Sequence, residues 1–434
     1  MMLALSTLVV LAAIVAMARR VEVRLVLLLS GFALALLAGT PLLVADTFTR
    51  AMVAAMVAPI CASMGFAALI ARTGCDRALV QLLLAPIRRM PWLALPGGII
   101  AAYVVNLAVP SQASTAAALG PILVPLLRAG GASAEVAGAA LLLGASFGGD
   151  LLNPGAQDVQ AVAGATSADA AVLSTTLIPA CLAGLLVSAA VFPLWVRRTR
   201  TAAAPVDAAA EPVSPEAGTL WGKAVVPLIP VVLLLSAYSG FAPLAWLVRT
   251  PPGDAWAPLA GALPVVRAML IGSAIAALVA WREVATLATA MFDGMGRAYG
   301  SIISLTITAQ VFGAGIGASG IASALLAASA GSGAVGVLSA AFPWGLSMLS
   351  GSGSGPILAF AQAFLAPLGA DPRVTDYAAL ACVGGAFGRT LSPVSAVTVY
   401  SAGLVGVNPV LLVRTLAVPL CIGAAVTMFL IVVR

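Results

Sequence analysis

The feature that most constrains this chain is the recurrence, from end to end, of apolar runs close to bilayer length. Residues 3–18, 25–45, 171–196 and 416–433 each approach the roughly 20 residues that carry a helix across about 30 Å of hydrocarbon. Hydrocarbon offers no partner to a backbone amide or carbonyl, so such runs must close their hydrogen bonds within themselves, as helices. With 62% hydrophobic and 8% charged residues, against about 25% charged in a soluble domain, the chain cannot form a water-soluble core. The fold class that follows is an all-α polytopic membrane protein.

Charge sets the expected orientation. No basic residue precedes the first run and Arg19 and Arg20 follow it, the reverse of a cleavable leader, so it reads as a retained first helix. With the N-terminus placed outside, fifteen of the 21 basic residues fall on cytoplasmic stretches, Arg50, Arg249, Arg267, Arg373 and Arg434 fall outside, and Arg389 sits inside a hydrophobic stretch. That bias is the one cytoplasmic loops carry, and it predicts a bacterial inner-membrane protein with both termini outside. The net charge of +6 therefore encodes orientation rather than affinity for nucleic acid. Five scattered cysteines suggest no disulfide framework, and the lack of histidine removes the commonest zinc ligand and the usual proton shuttle.

The one long polar segment, 197–223, rich in Ala, Pro and acidic residues, reads as a flexible cytoplasmic linker between repeats at 1–196 and 224–434. GPIL occurs at 120–123 and again at 355–358, Phe147-Gly148 matches Phe387-Gly388, and Pro154 matches Pro393. Each half thus has a Ser/Gly-rich knot, GPIL, a span and a second helix-breaking knot. The expectation is two inverted-topology repeats, as in secondary transporters. Each contains a re-entrant hairpin, about 92–128 and about 333–368, and a broken helix, about 135–165 and about 377–405.

The knots hold the candidate chemistry. Ser111, Gln112, Ser114 and Thr115 form the first hairpin tip, and Ser350, Gly351, Ser352, Gly353 and Ser354 the second. Alternating serine and glycine offers hydroxyls and bare amides that a ligand can approach closely; the competing reading is small residues serving helix packing. The first break carries Asp150, Asn153 and Asp158, and the second carries Arg389, Thr390, Ser392 and Ser395. An ionisable group at mid-membrane costs about 3 kcal/mol or more, which marks it as functional. The fixed fork of Arg389 suits a carboxylate, or a structural ion pair with Asp150 or Asp158. Asp158 also reads as the N-cap of the resumed helix, and either aspartate reads as a coupling-ion site for a proton or sodium. Sodium would lie near Asn153 and Ser392; no other cofactor is expected.

With GRTLSPVS at 388–395 and GSGSGP at 351–356, the chain closely resembles the anaerobic four-carbon dicarboxylate carriers of the DcuC family, within the ion transporter superfamily. The resemblance runs from about residue 70 to 125 and again through Pro419. It implies a scaffold domain, often dimerising, and an elevator-type transport domain of two opposed hairpins and two broken helices. It also implies succinate, fumarate and malate as substrates, moved by exchange or by cation coupling. Carried over by motif, Ser111 falls in the first tip, Ser350, Ser352 and Ser354 in the second, and Pro154, Asp158, Arg389 and Ser395 in the broken helices. Gln112, Ser114 and Thr115 stand where the family tends to glycine, Ser354 where asparagine is typical, and Asp150 where an apolar residue is expected. An acidic residue there favours altered coupling or a substrate that carries positive charge. The expected partners are a small anionic substrate, the bilayer and a second copy of the chain. The rival functions are carriage of another organic anion or an amino acid, cation/proton antiport, and membrane-embedded catalysis. The last has no HExxH motif, no GxSxG pattern suited to a nucleophile elbow and no histidine to serve as base.

Overall fold

A computed structural model describes residues 2–19, 21–90, 93–109, 111–166, 168–199, 217–253, 256, 259–281, 284–321, 324, 334–369 and 371–434. The centre of the expected linker (200–216), Pro110 of the first tip, the hairpin limits at 92 and 333, and Arg20, Arg200 and Arg282 lie outside the described residues. Flanking the linker's centre, one helix runs as far as Thr199 and the next begins at Ala217.

Among the described residues the chain is all helical. Among these described residues, five helices are long and apolar enough to cross a bilayer: Ala134–Leu152, Ala170–Arg197, Trp221–Tyr238, Thr286–Ser319 and Pro409–Val433. The pair Leu42–Met52 and Val57–Thr73 makes a sixth if its 47° bend is taken within one span. Others are apolar but too short to span, including Ala94–Ala108 and Ala396–Val405. Short apolar helices buried in protein are what interrupted spans produce, since a break releases backbone groups that only protein or enclosed water can satisfy.

Local chemistry fixes where these helices start. Ser133 accepts from the Val136 amide at the head of Ala134–Ser146. Ser395 does the same for Thr398 at the head of Ala396–Val405, and Asn408 does so for Val410 ahead of Pro409. Each side-chain oxygen satisfies an amide that would otherwise lack a partner in apolar surroundings. The first broken helix stops at Ser146 because Gly148 turns to φ +93°, a left-handed conformation that costs other residues a Cβ clash. A single turn at Asp150–Leu152, extended Asn153 and then Pro154 separate it from the resumed helix Gln157–Thr166. The second broken helix runs from Val374 to Thr390 and resumes at Ala396 after Pro393.

Small residues bring these pieces close. Ala334–Ser350 lies along Val374–Thr390, where a Cβ on Gly384 would stand 2.4 Å from the Ala340 carbonyl oxygen and one on Gly388 2.2 Å from that of Trp344. Ala170–Thr199 lies along Pro409–Val433 through Gly184 against Thr427 and Gly423 against Ser188. In lipid, where apolar burial gives helices little reason to associate, such backbone approach supplies the packing. Phe147 and Phe387, on the two broken helices, meet at a tilt of 48° with centroids 4.9 Å apart and tie the breaks together within one apolar core.

Gly388→Ala and Gly384→Ala are expected to destabilise the purified protein by about 1–3 kcal/mol through overpacking. Gly317→Ala, whose Cβ would meet nothing within 4 Å, should stay within about 0.5 kcal/mol. Thermal unfolding in detergent, with all three variants side by side, measures the difference.

Candidate functional site

Four elements converge on one buried cluster: the first hairpin tip, the first break, the second hairpin tip and the second break. Arg389 occupies the last turn of Val374–Thr390, and Asp158 the first turn of Gln157–Thr166. A cation at a helix C-terminus and an anion at an N-terminus are each favoured by the local backbone dipoles. The Arg389 Nη1 atom stands 3.7 Å from Asp158 Oδ2, and Nη2 stands 3.8 Å from Asp150 Oδ2. Both distances are too long for a direct hydrogen bond. Each pair is nonetheless attracted by about 4 kcal/mol if the effective dielectric is about 20. All three side chains are largely shielded from solvent, Arg389 at 13% exposure, Asp150 at 6% and Asp158 at 3%.

Neutral groups hold the charges in place. Gln112 donates from Nε2 to Asp150 Oδ2 at 3.4 Å and accepts at Oε1 from Ser146 Oγ at 2.7 Å. Ser146 Oγ also lies 2.7 Å from Thr390 Oγ1, and Thr390 donates to the carbonyls of Ser146 and Ala386. Asn106 accepts from the Asp150 amide at 3.0 Å, so the first hairpin fixes both the backbone and the side chain of that aspartate. Ser354, on the second tip, donates to Asp158 Oδ1. Gly353 lies flat against the guanidinium, where an added Cβ would be 3.0 Å from Cζ. Four buried polar atoms of this cluster have no hydrogen-bond partner: Asp150 Oδ1, Asp158 Oδ2, Arg389 Nε and Arg389 Nη2.

The sequence-predicted residues divide into two groups. Gln112, Asp150, Asp158, Gly353, Ser354, Arg389 and Thr390 meet in the cluster. The rest bond within the same turns or pack on the elements beside them. Ser111 caps Gln112–Ala129 and takes the Ser114 hydroxyl, and Thr115 donates to the Val109 carbonyl. Ser350 donates to Leu346 and Ser352 carbonyls. Gly351, at φ +75°, packs on the junction of Val394 and Ser395, 3.1 Å from where its Cβ would be. Asn153 bridges the Leu107 carbonyl and the Gly155 amide, and Ser392 accepts from Val394. Asp158 does not cap its own helix: its carboxylate is turned to the second tip instead. Asn106 and Ser146 were not singled out from the sequence, although each is a lone polar residue in an apolar stretch, the signal that marks a mid-membrane role.

A crevice of about 570 Å³ lies elsewhere, between Gly336–Gly345 and Met428–Val432, and none of the cluster residues lines it. The family described as the C4-dicarboxylate anaerobic carrier, DcuC, matches residues 43–434. The chain belongs to the DcuC family. An uncharacterized transporter of Haemophilus influenzae is 34% identical over 130 residues, which are 30% of this chain and 90% of that protein. The anaerobic C4-dicarboxylate transporter DcuC of Escherichia coli K12 is 25% identical over 378 residues, 83% of this chain and 77% of the relative. The crystal structure of the YdaH transporter of Alcanivorax borkumensis, described as having an unusual topology, matches with a TM-score of 0.51 at 17% identity. It covers 89% of this chain and 86% of that one, which is a likeness of fold. DcuC proteins are multi-pass membrane transporters and not enzymes, so the serines and carboxylates of the cluster have no catalytic duty to explain.

Gln112→Leu removes the side-chain donor that, among the described residues, lies within hydrogen-bond distance of Asp150 Oδ2, and is expected to destabilise the fold by about 1–3 kcal/mol. Ser114→Ala, which breaks a bond to Ser111 alone, should cost less than about 0.5 kcal/mol. Thermal midpoints in detergent compare the two.

Proposed function

We propose that this chain is a secondary transporter of C4-dicarboxylates such as succinate, fumarate and malate, binding its substrate at the junction of the two hairpin tips and the two breaks. The observation that carries the reading is Arg389, which is enclosed in protein and has two guanidinium donors, Nε and Nη2, with no acceptor. A carboxylate leaving water needs directed donors and positive charge to replace its hydration, and a guanidinium fork supplies both.

Seven of the candidate ligands contribute at the cluster itself: Arg389 as the charged anchor, Gln112, Ser354 and Thr390 as neutral partners, Gly353 by its bare backbone, and Asp150 and Asp158 as sites for the coupling ion. Asn153 and Ser392, in the breaks, are the places for sodium if sodium is that ion. The turn residues Ser111, Ser114, Thr115, Ser350, Gly351 and Ser352 shape the tips around the ligand, and Ser395 shapes the second break. A gap of 3.7 Å between Arg389 and Asp158 cannot admit a carboxylate, whose hydrogen bond to the guanidinium alone takes about 2.8 Å. The second tip, held to Asp158 through Ser354, must therefore draw back for substrate to enter. Movement of the two hairpins and two broken helices as one body against a dimerising scaffold, with both termini outside the bacterial inner membrane, completes the proposal.

Proteoliposomes test it. Uptake of labelled succinate into vesicles preloaded with unlabelled succinate should exceed uptake into empty ones, and gradients of sodium and of protons imposed in turn identify the coupling ion. Arg389→Gln should reduce uptake at least about tenfold, since truncating one partner of a buried charge pair costs about 2–5 kcal/mol. Folded wild-type protein that takes up no succinate under any gradient overturns the assignment.

A further inference from the structure

We propose that the same site favours a substrate carrying an ammonium group beside its carboxylates, an α-amino dicarboxylate of which aspartate is the four-carbon member. This rests on the carrier reading above and narrows it.

Charge is the first ground. The cluster contains two carboxylates and one guanidinium, all enclosed, and so carries one net negative charge when each group is ionised. Succinate would add two more negative charges to that space. An amino dicarboxylate of the same length adds only one, and its positive charge sits where Asp150 and Asp158 can face it.

Hydrogen bonding is the second ground and does not depend on the first. Each aspartate spends one oxygen on the protein and leaves the other bare. Asp150 Oδ2 takes the Gln112 amide while Oδ1 has no partner, and Asp158 Oδ1 takes the Ser354 hydroxyl while Oδ2 has no partner. Arg389 is the complement, with Nε and Nη2 lacking acceptors. Buried donors and buried acceptors thus stand unsatisfied within a few ångströms of one another, and such groups call for partners. Succinate and fumarate consist of acceptors only. They would satisfy the arginine and leave the aspartate oxygens as they are. A zwitterionic head satisfies both sets, its carboxylate on Nε and Nη2 and two of its three ammonium protons on Asp150 Oδ1 and Asp158 Oδ2. The outlying carboxylate then reaches the tip amides.

Selectivity follows from an unpaired group rather than from shape, and sites built to pair a polar group discriminate strongly against analogues that lack it. Asp150, whose Oδ1 is buried without a partner, is the specificity-determining residue.

The experiment is counterflow with the full-length protein in proteoliposomes, using labelled succinate and labelled L-aspartate, each competed by the other unlabelled compound. Unlabelled L-aspartate is expected to inhibit labelled succinate counterflow at concentrations no higher than unlabelled succinate itself requires. In Asp150→Asn the ratio of aspartate to succinate affinity should fall by about tenfold or more. The wild-type competition stands even where that variant fails to fold. Succinate counterflow that a hundredfold excess of aspartate leaves untouched overturns this inference and keeps the carrier reading, as does an equal shift of both affinities in Asp150→Asn. Counterflow of neither compound overturns both.

Discussion

A guanidinium held between two carboxylates in surroundings with little water is the interaction on which the rest of this molecule depends. Removing three charges from water carries a penalty of several kcal/mol per ion, recovered only where the charges face one another and their remaining donors and acceptors are engaged. Here the recovery is incomplete by design of the geometry. Arg389 stands at 3.7 and 3.8 Å from its two partners, near enough for attraction and too far for hydrogen bonds, so part of its bonding capacity stays available to a ligand. Breaking the pair by removing one member would leave an uncompensated charge in the core, which links the integrity of the fold to the same residues that are proposed to bind substrate.

The interrupted helices exist to bring those charges together. Asp158 heads one helix and Arg389 ends another, and both positions are created by breaks. A continuous helix would present neither an N-terminus nor a C-terminus in the interior. Gly148 at positive φ makes the first break possible, and Gly149 lets it close on the carbonyl of Tyr103 and on Asn106. Gly353 brings the second tip flat against the guanidinium. Ser354 then joins that tip to Asp158, so the state of the charge cluster and the position of the tip are tied to each other. Any ligand that draws Arg389 away from Asp158 also acts on the element that covers the site.

Much of this was legible in the sequence, and for identifiable reasons. Bilayer-length apolar runs fix the helical membrane class because lipid permits little else. Glycine, proline and charge inside such runs marked Asp150, Asp158 and Arg389, because each is expensive where it stands. What could not be read was the pairing. Sequence spacing left open whether Arg389 faces Asp150 or Asp158, and the fold has it face both at once. Asp158 could equally have capped its own helix; the approach of the second tip, about 200 residues away along the chain, decides otherwise. The tip serines illustrate the opposite limit. Ser111, Ser350 and Ser395 are polar and lie in the expected turns, yet their hydroxyls are spent on caps and neighbouring backbone. Asn106 and Ser146 escaped notice because a lone small polar residue in an apolar helix gives a weak signal, while their positions opposite Asp150 and Gln112 depend wholly on tertiary packing.

The central claim is that the two tips and the two breaks enclose one substrate site, and the most direct measurement is substrate protection of cysteines placed on the tips. In a cysteine-free background, Ser114→Cys on the first tip and Ser352→Cys on the second are labelled with a maleimide in reconstituted vesicles, with Ser239→Cys, on an exposed turn distant in sequence from both tips, as the reference. Dicarboxylate present on either side should slow labelling of both tip cysteines and leave the reference rate unchanged. Equal labelling of all three, with and without substrate, by protein that still transports it would contradict a site at the meeting of the tips.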